Sequence, residues 1–462
     1  MNHLKATCTD FLNQLGARAV LDNPRGHNAA AVLASSDFAK QLTNQDFTSE
    51  LVRLLSASGS IGEFHMLCAI VDNVAPALGE STPLPGISVL RGQLDTILPQ
   101  LWQSDSPREL SEDDSLAALT FEVGSSQLTL PLARTTFLNN KTSTLLVGRH
   151  DLSQGSCRLV EKAEKQWQNI CVAVDHPVQT IADIGLWAPL SPVTRARRIT
   201  ESFGNIVRGI DIEGESTPAS TELEEAVNSM LERLPASEDG SRPMGVWALI
   251  TPEHASGHSW NPAVAPDPAE VLSGRVLDRT EVEANASYLQ QQYQTGSRFY
   301  QVLSGGGGWG AKKGLLSLDP RESYFAPSEE EELERFMQTM SKSAFAPPGA
   351  YIQFFVPARV PSELTTSSST GAVFGVDSSR DSPVAITGAS RNYLIADHFG
   401  ALSSQGVYLS ARLDEASQSR HDSKLSVPGS RLFISRSGVK AGGLLGFLGG
   451  GGLADAGTLA MM

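Results

Sequence analysis

The chain has 462 residues, 40% hydrophobic and 19% charged, with 36 basic against 51 acidic side chains and a net charge of −15. That composition is globular rather than disordered, and the length suits two or three domains rather than one core. The acid excess argues against nonspecific binding of nucleic acid or acidic membrane by the whole surface, while leaving room for a local basic patch. Four cysteines, Cys8, Cys68, Cys157 and Cys171, stand in no CxxC spacing, which argues against a disulfide scaffold and makes a reducing compartment the default.

No apolar run is long enough to span a bilayer, and the N-terminus lacks a secretory core. Its Asp10 and its scarcity of arginine make it a poor matrix-targeting sequence. Further on, alternating strand and helix are expected. Ala29 to Ala34 is a small-residue buried strand, Glu50 to Leu55 a helix with Leu51, Leu54 and Leu55 on one face, Phe64 to Val71 a second strand and Gly86 to Leu90 a third. Strands joined through helices imply a βαβ arrangement with some parallel pairing. Cys68 falls in the second strand as a buried thiol and His65 as a satisfied core residue.

Strand composition recurs at Leu119 to Val123, Gln127 to Pro131 and Ser143 to Val147, with Asn139-Asn140 as a hairpin turn between the last two. Glu161 to Gln168 reads as helix. Three helices carry capping-box patterns at their start: Thr221 with Glu224, Thr280 with Glu283, and Ser328 with Glu331. Linkers are expected at Gly214 to Pro218, Ala236 to Pro243 and Thr365 to Pro383, the last polar enough for a mobile insertion. Short strands follow at Tyr393 to Ile395, Gly406 to Ser410 and Arg431 to Ser435, then a glycine-heavy tail from Gly442.

The feature richest in chemistry is Ser304-Gly-Gly-Gly-Gly-Trp-Gly-Ala-Lys-Lys-Gly314, fed by the strand-like Arg298 to Leu303. Dense glycine leaves backbone N–H groups uncovered and allows positive φ without steric cost. Gly305, Gly306, Gly307, Gly308 and Gly310 would offer donors to an anion, Lys312 and Lys313 matching charge, and Trp309 a flat apolar wall. A close-packed turn anchored by Trp309 is the competing reading. Gly305-x-Gly307-x-x-Gly310 has dinucleotide spacing, but Gly314 and Pro320 leave little room for the helix such a site needs. A P-loop would need glycine at Ala311 and a hydroxyl at Lys313. His254 and His258 stand four apart, but Pro252, Gly257 and Pro262 make them loop histidines rather than a metal pair. Arg195, Arg197 and Arg198 form a basic cluster expected on a solvated helix face.

Two resemblances add to this. Ala29 to Phe38, Glu50 to Leu55, Phe64 to Val71 and Pro85 to Leu90 resemble the opening of FIST domains, intracellular signal-transduction sensors thought to bind small ligands; Asp72 to Ala75 stands where their glycine-rich segment is expected. Ser304 to Pro320, with Ser202 to Arg208 and Pro218 to Glu224, is similar to uncharacterised fungal proteins associated with mitochondria. The expectation is therefore an α/β protein, a mixed sheet flanked by helices, in two domains: 1–155, FIST-like, and 156–462, holding the glycine loop 304–314 and the mobile insertion 365–383. The expected function is non-enzymatic binding of a small anionic ligand at that loop, with no nucleic acid partner and no assigned cofactor. The alternatives are an enzyme acting on a phosphate- or carboxylate-bearing small molecule, with His398 and Asp319 as available acid–base groups, and a mitochondrial assembly or gene-expression factor in which the loop only packs.

Overall fold

A computed structural model describes Leu12 and residues 26–56, 62–75, 86–103, 116–153, 156–173, 178–233, 245–255, 258–305, 314–325, 345–358, 371–378, 392–396, 398–414, 420–435 and 445–449. The expected helix at Ser328 and the linker at Ala236 to Pro243 lie outside these residues.

The small-residue run does form a strand, Ala29–Ser35, buried along its whole length. It pairs in parallel with Glu63–Val71, Ala29 opposite His65, and antiparallel with Gly86–Gly92. Burial on both faces is what a continuous apolar strand without alternation requires. Helices Ala39–Thr43 and Gln45–Leu55 make the crossover. The Asn44 side chain caps the second through the N–H groups of Asp46 and Phe47, and Leu51, Val52 and Leu55 bury its inner face. Leu145–Asp151 and Arg158–Glu164 extend the sheet on one side, Leu445–Gly449 and Asn392–Ala396 on the other, giving a seven-stranded sheet.

Beyond this opening the expected α/β class is overturned. The described residues are mostly β, 45% strand against 23% helix, and a closed six-stranded barrel takes the place of a second helix-flanked sheet. The barrel runs Tyr351–Pro357, Arg197–Phe203, Ile206–Ile212, Leu316–Leu318, Arg298–Gly305 and Trp247–Thr251, then back to Tyr351–Pro357. Its interior is filled by Ile199, Val207, Ile210, Ala248, Ile250, Leu316, Leu318, Ile352 and Phe354, and Leu223, Ala226 and Met230 of helix Ala219–Arg233 pack against them. The misreading has a physical source. In Arg197–Phe203 only Ile199 is buried, and in Ile206–Ile212 the alternation breaks at Gly209-Ile210, so neither carries the regular apolar alternation that declares a strand.

Other expectations are corrected locally. Glu161 to Gln168 is not helix but the strand Arg158–Glu164 and the start of Trp167–Cys171. Asn139-Asn140 makes no hairpin: it ends the short helix Thr136–Asn139, with Asn140 at φ +61°, and the strands either side belong to different sheets. The supposed linker Gly214 to Pro218 holds the strand Glu215–Pro218. Within 365–383, Gly371–Val376 is a fully buried strand rather than a mobile insertion. Helix Ala219–Arg233 begins before Thr221, and helix Arg279–Gln294 is capped by Asp278 with Glu281, two residues ahead of Thr280 with Glu283.

Two five-stranded sheets complete the fold. In one, Gly371–Val376 pairs in parallel with His398–Ser403, and Asn73–Val74 joins its edge by continuing the chain directly out of the Glu63–Val71 strand. In the other, Ala118–Val123 and Ser126–Pro131 meet Val407–Arg412 and Arg420–Leu425, with Trp167–Cys171 along the far edge. Strands from both ends of the chain thus share one large core, in which Phe121 stacks on Phe374 with centroids 4.1 Å apart. Leu289 and Tyr293 of helix Arg279–Gln294 tie the barrel to it.

Candidate functional site

The glycine-rich segment is the connection between two antiparallel barrel strands. Arg298–Gly305 pairs with Leu316–Leu318, Gly305 opposite Leu316. Just before the run, Val302 faces Leu318 and Ser304 faces Ser317, so Leu303 is an extra, unpaired residue. This is a β-bulge, which bends a strand end and re-aims the chain beyond it; Leu303 is 54% exposed there. Because the next element is a strand, the dinucleotide reading falls: that site needs a helix N-terminus after the last glycine.

Among the expected site residues, Gly305 closes the strand, and Gly306, Gly307, Gly308, Trp309, Gly310, Lys312 and Lys313 lie outside the described residues. The chain re-enters at Gly314 with φ +86°, where a Cβ would stand 2.4 Å from the Cβ of Pro218. Only glycine fits such a position. Its carbonyl accepts a hydrogen bond from Ser220 N at 3.2 Å, which holds the connection against the first turn of helix Ala219–Arg233. That turn carries its own counter-charge. Glu222 accepts two close bonds from Arg197, Nε to Oε2 at 3.1 Å and Nη2 to Oε1 at 2.7 Å, and Ser220 Oγ donates to Glu224. The positive end of the helix is thereby partly neutralised.

The basic cluster is dispersed. Arg197 and Arg198 are neighbours in a strand, not on a helix; Arg197 pairs with Glu222, Arg198 with Glu253, and Arg195 with Asp267. No patch of uncompensated positive charge survives at these residues. His254 and His258 belong to a hairpin whose register sets His254 opposite Ser259 and His258 opposite Ala255, not opposite each other.

The two available acid–base groups are committed elsewhere. His398 is 2% exposed and donates from Nε2 to the Ala75 carbonyl at 2.8 Å. Burial, only partly offset by that bond, pushes its pKa down to about 4, so it is neutral in the folded protein. Asp319 lies in the segment after the barrel strand Leu316–Leu318, bonded to Arg321 at 3.1 Å and to Lys424 at 3.0 Å. Burial raises its pKa, but the Arg321 hydrogen bond and the Lys424 charge outweigh that and hold it below the usual carboxylate range. His65 accepts from Trp102 Nε1 at 3.0 Å, as a satisfied core histidine should. Cys68 is buried, with its thiol pushed up to about 12 by desolvation.

Sequence reasoning did not find the charged seam between the barrel and the sheet containing Arg420–Leu425. There Tyr300 donates to Glu322 at 2.9 Å, Arg298 approaches Glu322 at 3.4 Å, and Lys424 lies 5.6 Å from the centre of the Tyr408 ring. Arg298, Tyr300 and Glu322 come from one stretch of the chain and Tyr408 and Lys424 from another far along it, so no local spacing announces them. No helix of the described residues is long and apolar enough to cross a membrane, and none of their side chains gather into a metal-ligating group. Comparison with known proteins finds no matching family model, no matching curated protein and no matching solved structure.

Proposed function

We propose that this chain is a non-enzymatic, small-ligand-binding module of the FIST type, with an anion recognised at the connection 305–314. The observation that supports it is the anchoring of the connection at both ends. A bulge at Leu303 precedes it, and Gly314 is fastened to Ser220 at a helix start behind it, so both ends of the connection are held by the fold. Lys312 and Lys313 supply the charge that Glu222 and Arg197 do not leave over. The enzyme alternative loses support because His398 and Asp319 are each tied into the fold by hydrogen bonds. In this reading the protein works inside the cell, and its similarity to mitochondria-associated fungal proteins points to the mitochondrion.

A specific observation favours a second reading. The contact between Gly314 and Pro218 is tight enough for the whole connection to be a packing device. The two separate by experiment. Thermal midpoints of the full chain are measured with inorganic phosphate, nucleotides and simple dicarboxylates. Anion binding requires a stabilising member of the panel whose effect disappears in Lys312→Ala/Lys313→Ala, with folding intact. A packing device requires that no anion stabilise the protein, that the double lysine variant behave as the parent, and that Gly307→Val unfold the barrel.

A further inference from the structure

The carboxyl ends of strands from two of the parallel pairs converge on one spot. Glu63–Val71 ends at Asp72 and passes straight into Asn73–Val74, which pairs with His398–Ser403, Asn73 opposite Leu402. Gly371–Val376 ends at Asp377, whose N–H donates to the Ser403 carbonyl at 3.1 Å. Ser404 donates to Asp72 Oδ2 from its N–H at 2.7 Å and from Oγ at 2.9 Å. Ligands of sheets with parallel strands bind outside such carboxyl ends, where a change of strand order opens the sheet edge. Here the chain changes sheets at Asp72.

Into this junction comes Arg431, only 9% exposed. Its side chain crosses Gly375, where any Cβ would come within 2.8 Å of Arg431 Cδ and 2.2 Å of the Ser430 carbonyl. Nη1 donates to the carbonyls of Val376 at 2.6 Å and Ser430 at 2.8 Å. Those are the only protein partners of the guanidinium among the described residues, and it makes no ion pair with nearby Asp377. Asp377 is half-satisfied in the same way. Oδ2 accepts from Asn73 Nδ2 at 2.8 Å, while Oδ1 is buried with no partner. Unused N–H groups and an unused carboxylate oxygen therefore sit close together, one fixed by two carbonyls, the other by Asn73. Leaving the buried Oδ1 unsatisfied is costly. Burial moves both groups toward their neutral forms: Arg431 falls to about 10 despite the Asp377 charge, and Asp377 rises.

We infer that Arg431, Asp377 and Asn73 form a binding site for a small neutral amide, whose C=O accepts from Arg431 and whose N–H donates to Oδ1 of Asp377. Charge and hydrogen-bonding capacity together favour a neutral ligand. Arg431 and Asp377 balance, and Asp72 adds a further negative charge beside them, so a carboxylate would meet repulsion, while an ammonium carries no acceptor for the N–H groups of Arg431. An amide sets acceptor and donor side by side, matching a guanidinium next to a carboxylate. The site lies in the sheets outside the barrel and shares no residue with the connection 305–314.

The test is saturation-transfer NMR on the full chain with acetamide and 2-pyrrolidinone as probes, and acetate and methylammonium as charged controls. Both amides are expected to bind at least about tenfold more tightly than either control, the loss of one charge-assisted hydrogen bond being worth about that factor. Asp377→Asn, which keeps the shape but removes the charge and exchanges one acceptor oxygen for an NH2 donor, should weaken the amides about tenfold without unfolding the protein. Arg431→Lys should weaken them too; if it fails to fold, Asp377→Asn decides. Equal binding of acetate, unchanged amide binding in Asp377→Asn, or no transfer to any probe overturns the inference. Loss of amide binding in Lys312→Ala/Lys313→Ala also overturns it, because the probe then sits at the glycine connection, and anion recognition there remains to be judged on its own panel.

Discussion

Replacing Phe374 by alanine should damage both ends of the chain at once. The ring is fully buried, 4.1 Å from that of Phe121 and 6.3 Å from that of Phe399. Phe121 belongs to the Ala118–Val123 strand, Phe374 and Phe399 to a different sheet. Removing a buried phenyl costs about 3–5 kcal/mol in lost transfer energy and cavity, and aromatic pairs add about 1 kcal/mol beyond burial. The cavity would be walled by strands of two sheets, each held by its own ladder, so it closes poorly and the upper part of that range applies. Urea denaturation followed by hydrogen exchange is the assay. Protection should fall together in 29–35, 118–123 and 398–403, with a stability loss near 4 kcal/mol on the scale of large core truncations. A loss below about 1 kcal/mol, the size of an ordinary surface change, would refute a shared core. So would weakened protection confined to 371–376 and 398–403 while 118–123 keeps its own.

Three further outcomes are expected. Lys424→Met leaves Asp319, whose side chain is 5% exposed, with Arg321 alone and should cost about 3 kcal/mol in urea denaturation at neutral pH. Since the folded pKa of Asp319 is depressed, its stabilisation is present above the unfolded carboxylate value and lost as pH falls through the folded one, so parent and variant should converge in acid. His398 works in the same direction at higher pH: its folded pKa of about 4 lies below the ordinary imidazole value, so the unfolded chain takes up the proton first. Stability is full above about pH 6.5 and declines toward pH 4, by about 3 kcal/mol, and His398→Gln, which keeps a donor for the Ala75 carbonyl but cannot titrate, should flatten that slope in a series of thermal melts. Gly314→Ala forces a Cβ against Pro218 at positive φ and should lower the thermal midpoint through a loss of about 1–3 kcal/mol, whereas Lys312→Ala/Lys313→Ala should leave it unchanged.

What the sequence disclosed depended on whether a signal was local. Ala29–Ser35, Glu63–Val71 and Gly86–Gly92 were legible because strands buried on both faces read as unbroken apolar runs. The βαβ step between the first two was legible for the same reason, and extrapolating it along the chain produced the wrong class. The barrel hid because Arg197–Phe203 and Ile206–Ile212 lack regular apolar alternation, and because closure depends on the second edge of Tyr351–Pro357, which pairs with both Trp247–Thr251 and Arg197–Phe203. Nothing within either segment records that partnership. The far edge of the seven-stranded sheet hid for another reason: Glu161 to Gln168 is charged enough to imitate a helix surface, yet Arg158–Glu164 is an edge strand, where charge is the usual defence against further pairing.

The two binding proposals differ in how the chain prepares its donors. At 305–314 the sequence advertises them through glycine, and the barrel contributes only the spacing of the two ends. At Arg431 the sequence is silent, since one arginine in a strand has many ordinary uses. Its meaning comes from three placements: Gly375 clearing a path, two carbonyls holding Nη1, and Asn73 arriving from the opposite end of the chain to occupy one oxygen of Asp377 but not the other. A purely structural arginine buried to this depth would be expected to close directly on its nearest carboxylate, because an unpaired buried charge costs several kcal/mol, about 3–5 when one partner of a pair is removed. Here the pair is held apart by the strands that carry it. Gly375→Ala tests this: by displacing Arg431 it should abolish amide binding while the barrel keeps its hydrogen-exchange protection. Retained binding with Arg431 displaced would show that the guanidinium is a strut and not a receptor.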